Sequence, residues 1–206
     1  MLVDIDMIEV ESCFPAANRP VHICNVGSMS QSNQAASMPA MLGAIKRLLA
    51  KHHNQKGIIH TGNYSIARAI MALGDPRLVS HAAADRAAVV SAFKASLSPL
   101  VFVSPSSTRG LDLPDDDCRF NILAKAPYQS LTDKLVSNRL YTKPLGQLWY
   151  SSMCAQEIEQ AFGRGVRHES DWCENYSLDI DANKLICSRP ELFSDHFRKS
   201  LIIHRA

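Results

Sequence analysis

The stretch QAFGRGVR, from Gln160 to Arg167, places two arginines and two glycines within eight residues. On a continuous helix, Gln160, Arg164 and Arg167 would share one face, at spacings i, i+4 and i+7. A guanidinium group binds phosphate oxygens through two N–H groups and can stabilise charge on a transferred γ-phosphate. The alternative is a basic helix end that interacts with the helix dipole. Such an end does not need two glycines, each of which costs a helix about 1 kcal/mol relative to alanine.

A second polar stretch, SPSSTRGLDLPDDD, begins at Ser104. It crowds four hydroxyl groups into five residues and continues with a glycine, which permits close backbone approach, and an aspartate. Hydroxyl and backbone N–H groups bind phosphate oxygens without reading a base. A serine-rich turn is the alternative that this stretch alone leaves open. The residues concerned are Ser104, Ser106, Ser107, Thr108, Gly110 and Asp112.

The sequence lacks the motifs of several nucleotide sites. It contains no GxxxxGK[ST] motif, no Gly-Lys dipeptide and no Asp-Glu dipeptide. This excludes an ordinary P-loop site within these 206 residues, so another domain would have to bring any triphosphate to the arginines. There is also no nucleophile–base pair and no glycine-rich dinucleotide fingerprint, which argues against a metabolic α/β enzyme.

The composition is that of an ordinary globular protein, with 46% hydrophobic and 20% charged residues. A formal net charge of +2 is too small to indicate nucleic-acid binding by itself. No apolar run approaches the roughly 18 residues that span a bilayer. The first ten residues carry acidic side chains rather than a basic n-region, so we expect no secretory signal and a cytoplasmic location. The six cysteines form no CxxC pair, which predicts reduced thiols and no zinc or iron–sulfur site.

Short apolar segments alternate with segments of helical periodicity along the chain. Several of the apolar segments lack a polar face, which indicates a parallel sheet covered by helices on both sides. One α/β domain is the economical prediction, with Ser37 as the N-cap of its first helix. Strands are predicted at 21–26, 57–61, 77–81, 99–105, 119–127 and 173–181, and helices at 37–52, 64–73, 85–96, 150–162 and 190–201.

Polar segments follow three of the predicted strands. They are His60–Asn63, Ser104–Asp112 and Lys125–Pro127. Ligands of open parallel sheets bind beyond the carboxyl ends of the strands. These three segments are therefore candidates for ligand contact.

Four stretches, taken in order, resemble the second (C-terminal) RecA-like motor domain of superfamily 2 DNA helicases of the DinG/XPD type. ESCFPAANRPVHICNVGSMS resembles the segment that leads into that domain, and KGIIHTGNYSIA resembles the motif IV region. VSPSSTRGLDLPDDDCRFNILAKAPYQSLTDKLVSNR resembles motif V and its continuation, and WYSSMCAQEIEQAFGRGVRHESDWCENYSLD resembles motif VI. The resemblance implies a three-layer RecA-like (P-loop NTPase-like) α/β domain at 21–206, with a mostly parallel sheet, after a leading segment at 1–20. The first motor domain, which carries Walker A in this family, has no counterpart in the sequence.

The resemblance also implies roles by position. Gln160, Arg164 and Arg167 match motif VI and would face ATP, with the arginines acting as arginine fingers. Gly110 and Asp112 match motif V, which couples the nucleotide cleft to the DNA path. ATP and Mg²⁺ would be held mainly by a first motor domain in cis or in trans, as would any iron–sulfur cluster. Contacts to single-stranded DNA are implied for His60, Thr61, Asn63, Ser104, Ser106, Thr108 and Arg109.

The chain departs from many relatives at Ser107 and Arg109, and Trp172-Cys173 replaces the commoner Tyr-Gly after motif VI. Arg109 adds a charge beside the expected phosphate path. A function of a different class stays open, namely a non-catalytic helicase remnant that binds nucleic acid or a protein partner. Under the helicase interpretation, we expect no ATPase activity from this chain alone.

Overall fold

The computed structural model describes residues 14–82, 84–105 and 111–204. Within these ranges, seven strands form one sheet in the order β3-β4-β2-β5-β6-β1-β7. Every pair of neighbouring strands is parallel. The strands are β1 (Val21–Gly27), β2 (Gly57–His60), β3 (Leu78–Ser80), β4 (Val101–Ser104), β5 (Phe120–Leu123), β6 (Glu174–Asp179) and β7 (Leu201–Ile203).

Helices cover both faces of the sheet. Helices α1 and α2 pack on one face, and α3, α5 and α6 pack on the other. The three layers confirm the predicted α/β architecture. The helices are α1 (Gln34–Lys51), α2 (Tyr64–Met71), α3 (Arg86–Ala95), α4 (Lys134–Thr142), α5 (Gly146–Phe162), α6 (Ile180–Ser188) and α7 (Asp195–Lys199).

Strand β2 illustrates why the strands appear in the sequence as continuous apolar segments. Ile59 packs into the core beneath α1 and α2, whereas Ile58 packs on the opposite face with Phe93 of α3. Successive side chains of a strand point to opposite faces, so a sheet covered on both sides needs apolar residues at every position. All four residues of β2 are buried.

Helix α1 begins earlier than the sequence predicts. Its first residue is Gln34, Asn33 precedes it, and Ser37 lies within the helix and is not its N-cap. Pro39 also lies inside α1, as its sixth residue, where the missing N–H leaves the helix without the hydrogen bond to the carbonyl oxygen of Ala35. The early start brings α1 against the end of β1, where a Cβ atom on Gly27 would lie 2.8 Å from the Cβ of Ser37.

Helix α6 and strand β7 were not predicted. No loop separates β6 from α6, because Asp179 ends the strand and also caps the helix by accepting a hydrogen bond from the N–H of Asp181. The predicted helix at 190–201 is a 3-10 turn (Pro190–Leu192) followed by the short α7 and then β7.

Helix α4 was also not predicted. Only Leu140 of its residues is buried, which leaves little apolar periodicity to detect. The helix predicted at 85–96 corresponds to α3, which ends at Ala95. Among the described helices, none is long and apolar enough to span a membrane.

Candidate nucleotide and nucleic-acid sites

The arginine-bearing segment is not a continuation of α5. The helix ends at Phe162, where the N–H of Gly163 still donates to the carbonyl oxygen of Glu159. The predicted helical face of Gln160, Arg164 and Arg167 is therefore wrong. Gln160 is exposed on the last turn of α5, and both arginines lie in the turn that follows.

Gly165 explains the second glycine of the motif. A Cβ atom at this position would lie 2.6 Å from the Sγ of Cys173 and 2.9 Å from the carbonyl oxygen of Cys118. Both distances are shorter than any packed side chain tolerates, so only glycine lets the turn lie against the segments that precede β5 and β6. Gly165 therefore permits the close packing that positions the arginines, and it is not there to make the turn flexible.

Asp171 anchors the same turn, a role that no motif in the sequence indicates. Its side chain is almost fully buried, and one carboxylate oxygen accepts hydrogen bonds from Arg119 (2.8 Å) and from the N–H of Trp172 (2.8 Å). The other oxygen accepts from the backbone N–H of Arg167 at 3.0 Å. A buried carboxylate thus fixes the backbone from which the Arg167 side chain extends.

Arg119 neutralises the buried charge of Asp171. Its guanidinium also bonds Asp116 at 2.9 Å and lies 4.9 Å from the centre of the Trp172 ring. Burial alone would lower the pKa of Arg119, but the hydrogen bonds to Asp116 and Asp171 raise it above its ordinary value. The guanidinium is therefore charged at neutral pH, and its bond to Asp171 ties the start of β5 to the start of β6.

Asp115 and His168 lie beside Asp171, with ligand-type atoms of the three residues within 4.8 Å of one another. His168 Nε2 is 2.9 Å from the Asp115 carboxylate, and Arg119 lies 3.9 Å from the same carboxylate. Arg119 is paired with both carboxylates of this cluster, so ion pairing explains its geometry.

The two arginines contact the segment that resembles motif V. Arg164 donates from Nη1 to the carbonyl oxygen of Leu111 at 3.2 Å. Arg167 forms an ion pair through Nε with Asp112. The side chains of this pair are 38% and 66% exposed. The structure thus brings Asp112, Arg164 and Arg167 together, whereas Gly110 lies outside the described residues.

The side chains of His60, Thr61 and Ser104, for which contacts to single-stranded DNA were predicted, are all buried in the structure. The hydroxyl of Thr61 lies 3.0 Å from the carbonyl oxygen of Asn63 and 3.1 Å from that of Ser104, so it joins the ends of β2 and β4. Asn63 is half-exposed and caps α2 by accepting from the N–H of Ile66 at 2.9 Å. The remaining predicted DNA contacts, Ser106, Thr108 and Arg109, lie outside the described residues.

His60 belongs with the arginine turn rather than with a DNA surface. Burial and the neighbouring charge of Arg164 lower the pKa of His60 to about 4, against a smaller opposing effect of Asn121. The imidazole is therefore neutral near pH 7. A neutral ring close to Arg164 avoids a second buried positive charge at this position.

A second region lies at the carboxyl ends of β1, β5 and β6. Asp179 is almost fully buried there, and its carboxylate accepts hydrogen bonds from the N–H groups of Ala126 (2.7 Å), Asp181 (3.1 Å) and Met29 (3.2 Å). Lys125 donates to the carbonyl oxygen of Met29. Asp179 and Lys125 thus hold together the segments that follow β1, β5 and β6.

These loops form the floor of an open cleft of about 1450 Å³, hereafter the strand-end cleft. The amino-terminal parts of α1 and α2 supply polar side chains, including Gln34 and Asn63. Two aromatic rings also line the cleft, and basic residues within α6 and directly after it contribute to the lining. Of the segments singled out in the sequence, Lys125–Pro127 leads into this cleft, but its aromatic and basic lining was not predicted. The residues used below are Lys125, Tyr128, Tyr150, Asp181, Lys184 and Arg189.

Comparisons with known proteins agree with this fold. A family model described as the helicase C-terminal domain matches residues 39–188. No curated protein matches the chain. The structure of S. tokodaii Xpd4 superposes with a TM-score of 0.63 at 15% identity, over 91% of this chain and 38% of that one. An apo XPD structure gives 0.66 at 13% identity, over 91% and 40%. An XPD helicase structure gives 0.64 at 13% identity, over 90% and 35%.

The chain spans two fifths or less of the length of these three structures. At such identities the superpositions establish the fold, and the family match establishes the kinship. Because that match covers most of the sequence, from residue 39 to residue 188, the chain belongs to the helicase C-terminal domain family and has the RecA-like fold of a helicase motor domain.

Proposed function

We propose that this chain acts as the second motor domain of an ATP-dependent DNA helicase and supplies Arg164 and Arg167 to ATP held by a first motor domain. The observation that carries the proposal is the fixed position of the arginine turn. Its backbone is held by Asp171, its path requires Gly165, and Arg164 is bonded to Leu111. Catalysis by electrostatic stabilisation needs charges that are in place before the reaction begins.

The ion pair between Arg167 and Asp112 is suited to exchange. A γ-phosphate oxygen offers the guanidinium the same charge-assisted hydrogen bond as a carboxylate oxygen does. Both partners are well exposed, so the pair stabilises the fold by only about 0–1 kcal/mol and yields easily to a better ligand. When bound, ATP with Mg²⁺ would supply the phosphoryl group whose transfer to water drives the motor.

Asp112 also connects the arginines to the segment expected to meet DNA. It follows Ser106, Thr108 and Arg109 in the chain, for which we propose contacts to the backbone of a single strand. When Arg167 changes its partner from Asp112 to phosphate, the carboxylate at the end of that segment loses its counter-charge. Through this exchange, the nucleotide state would change the affinity of that segment for the single strand.

The test uses a complex of this chain with a first motor domain that carries Walker A. We expect Arg167→Ala to abolish the DNA-dependent ATPase activity of the complex while single-strand affinity stays within a few-fold of the unmodified complex. The matched control is Arg198→Ala, since Arg198 is also exposed and paired with a carboxylate, Asp195, but lies on α7.

Two results would contradict the proposal. Turnover above background by the 206-residue chain alone would show that the ATP site is complete within it. A change in nucleic-acid affinity with full ATPase activity in Arg167→Ala would instead indicate the non-catalytic binding domain considered above.

A further inference from the structure

We propose that Tyr128 and Tyr150 form a stacking platform for the bases of single-stranded nucleic acid in the strand-end cleft. The inference rests on the proposed function, because a single strand is the ligand along which a DNA helicase moves. It assigns the main base contact to two residues that the sequence had not indicated as DNA contacts.

The two rings form a rigid aromatic surface. Their centres are 5.2 Å apart and their planes differ by 21°, which is a stacked arrangement. The hydroxyl of Tyr150 donates to the carbonyl oxygen of Gln129 at 2.7 Å, and Tyr128 packs against the core formed by α5 and α6. Both rings line the cleft, so a base that enters it meets a fixed π surface. Stacking on aromatic side chains tolerates any sequence, because every base has a π face.

Burial keeps this surface uncharged. It raises the pKa of Tyr128 well above its usual range, with further contributions from the neighbouring Cys154 and Tyr150, and it also raises that of Tyr150. Both phenols therefore remain neutral throughout the pH range in which proteins work. A negative phenolate would repel the strand's phosphates, whereas the neutral ring does not.

Basic side chains border the platform. Lys184 is exposed on α6, Arg189 follows the same helix, and Lys125 lies on the floor. The acidic residue of the cleft, Asp181, accepts a hydrogen bond from Ser28 at 2.5 Å. Aromatic rings beside positive charges are the combination that binds single strands without sequence preference.

Other classes of ligand fit less well. A mononucleotide site would require a phosphate-binding loop that the chain lacks. An amphipathic partner helix would require a continuous apolar groove, but polar side chains such as Gln34, Asn63 and Ser65 also line the cleft. Amide and hydroxyl groups of this kind bind sugar and phosphate oxygens.

The test measures binding of a fluorescent oligo-dT strand and quenching of a strand that carries 2-aminopurine. Tyr128→Phe should bind as the unmodified protein does, because the ring is kept. Tyr128→Leu should lose roughly 5- to 150-fold in affinity, the range expected for one stacked base, together with the quenching. Because Tyr128 is half-buried, circular dichroism and a melting curve must show that Tyr128→Leu is folded.

A charge variant gives an independent measurement that leaves the core intact. Lys184→Gln should reduce the slope of log affinity against log salt by about 0.7, the value for one phosphate contact to a single strand. Lys94→Gln is the matched control, because Lys94 is equally exposed but lies on α3, outside the cleft. It should leave the slope unchanged.

Two failures can be told apart. If the protein binds the strand but Tyr128→Leu and Lys184→Gln bind it unchanged, the platform is overturned and the proposed motor function stands. If binding to DNA is absent while both variants weaken association with a first motor domain, the cleft is a protein interface and the DNA part of the proposed function falls as well.

Discussion

Strand β6 begins beside one buried aspartate, Asp171, and ends at another, Asp179, and the two are stabilised differently. Asp171 is paired with the guanidinium of Arg119, whereas the carboxylate of Asp179 accepts hydrogen bonds from backbone N–H groups. The first arrangement fixes a charged turn, and the second joins three loops at the floor of a cleft. The difference matches the proposed tasks, because a γ-phosphate needs charges at fixed positions and a sliding strand needs an adaptable surface.

The largest expected effect tests the charged turn that Asp171 anchors. An arginine finger contributes about 10³- to 10⁵-fold to kcat in phosphoryl transfer. Arg167→Ala should therefore lower the ATPase turnover of the reconstituted complex by about 10³-fold or more. Arg167→Lys should restore little of it, because an ammonium group lacks the planar fork. Steady-state kinetics of the complex would measure both, and wild-type turnover in either variant would rule out the role.

Removing the anchor of the turn should have the next largest effect, this time on stability. Asp171→Ala leaves Arg119 without its buried partner, and breaking such a pair costs about 3–5 kcal/mol. Asp116→Ala removes another carboxylate from the same guanidinium, but Asp116 is 98% exposed and should contribute about 0–1 kcal/mol. Urea unfolding measures both, and equal losses would mean that Asp171 is no special anchor.

Gly165→Ala sharpens the argument that packing positions the arginines. The new methyl group would overlap Cys173 and the Cys118 carbonyl group, so we expect a loss of about 1–3 kcal/mol. Gly43→Ala is the control, since its Cβ would lie 3.7 Å from Arg47 Nη1, an ordinary van der Waals contact on α1. There, alanine should stabilise the helix by up to about 1 kcal/mol. A neutral Gly165→Ala variant would contradict the close packing.

The last prediction concerns pH. The pKa of His60 falls from 6.5 to about 4 on folding, so the unfolded chain binds more protons in that interval. Stability is then lost as the pH falls from about 6.5 to 4, by up to about 1.4 kcal/mol per pH unit. Burial lowers the pKa of His22 and His52 as well, which adds to the loss with the same sign. His60→Gln should reduce the slope in urea titrations, and the exposed His53→Gln should not.

The sequence predicted the elements with strong periodicity and missed those whose signals are non-local. Strands such as β2 and β4 were found because both faces are buried. Helix α6 was hidden because Asp179 serves both the strand and the helix. Asp112 and Arg167 were both assigned to the nucleotide site, but their ion pair was not predicted, since the residues lie far apart in the chain.

The buried network could not be read from the sequence at all. Nothing local marks Asp171 as the partner of Arg119, because the parallel pairing of β5 with β6 alone brings them together. Gly165 was noted as unusual, but its cause is the distant Cys173. The hydrogen bond of the Thr61 hydroxyl likewise depends on Ser104, which lies far from it in the chain.

The place of β1 in the sheet has a consequence for how the protein is made. Val21 pairs with Asn175 of β6 and with Leu201 of β7, so the first strand lies between two that are synthesised near the other end of the described chain. At ribosomal speeds of about 5–20 residues per second, β1 waits roughly 10–30 s for its first partner. During that time its edges are open to wrong pairing, which makes β1 the segment most in need of a chaperone.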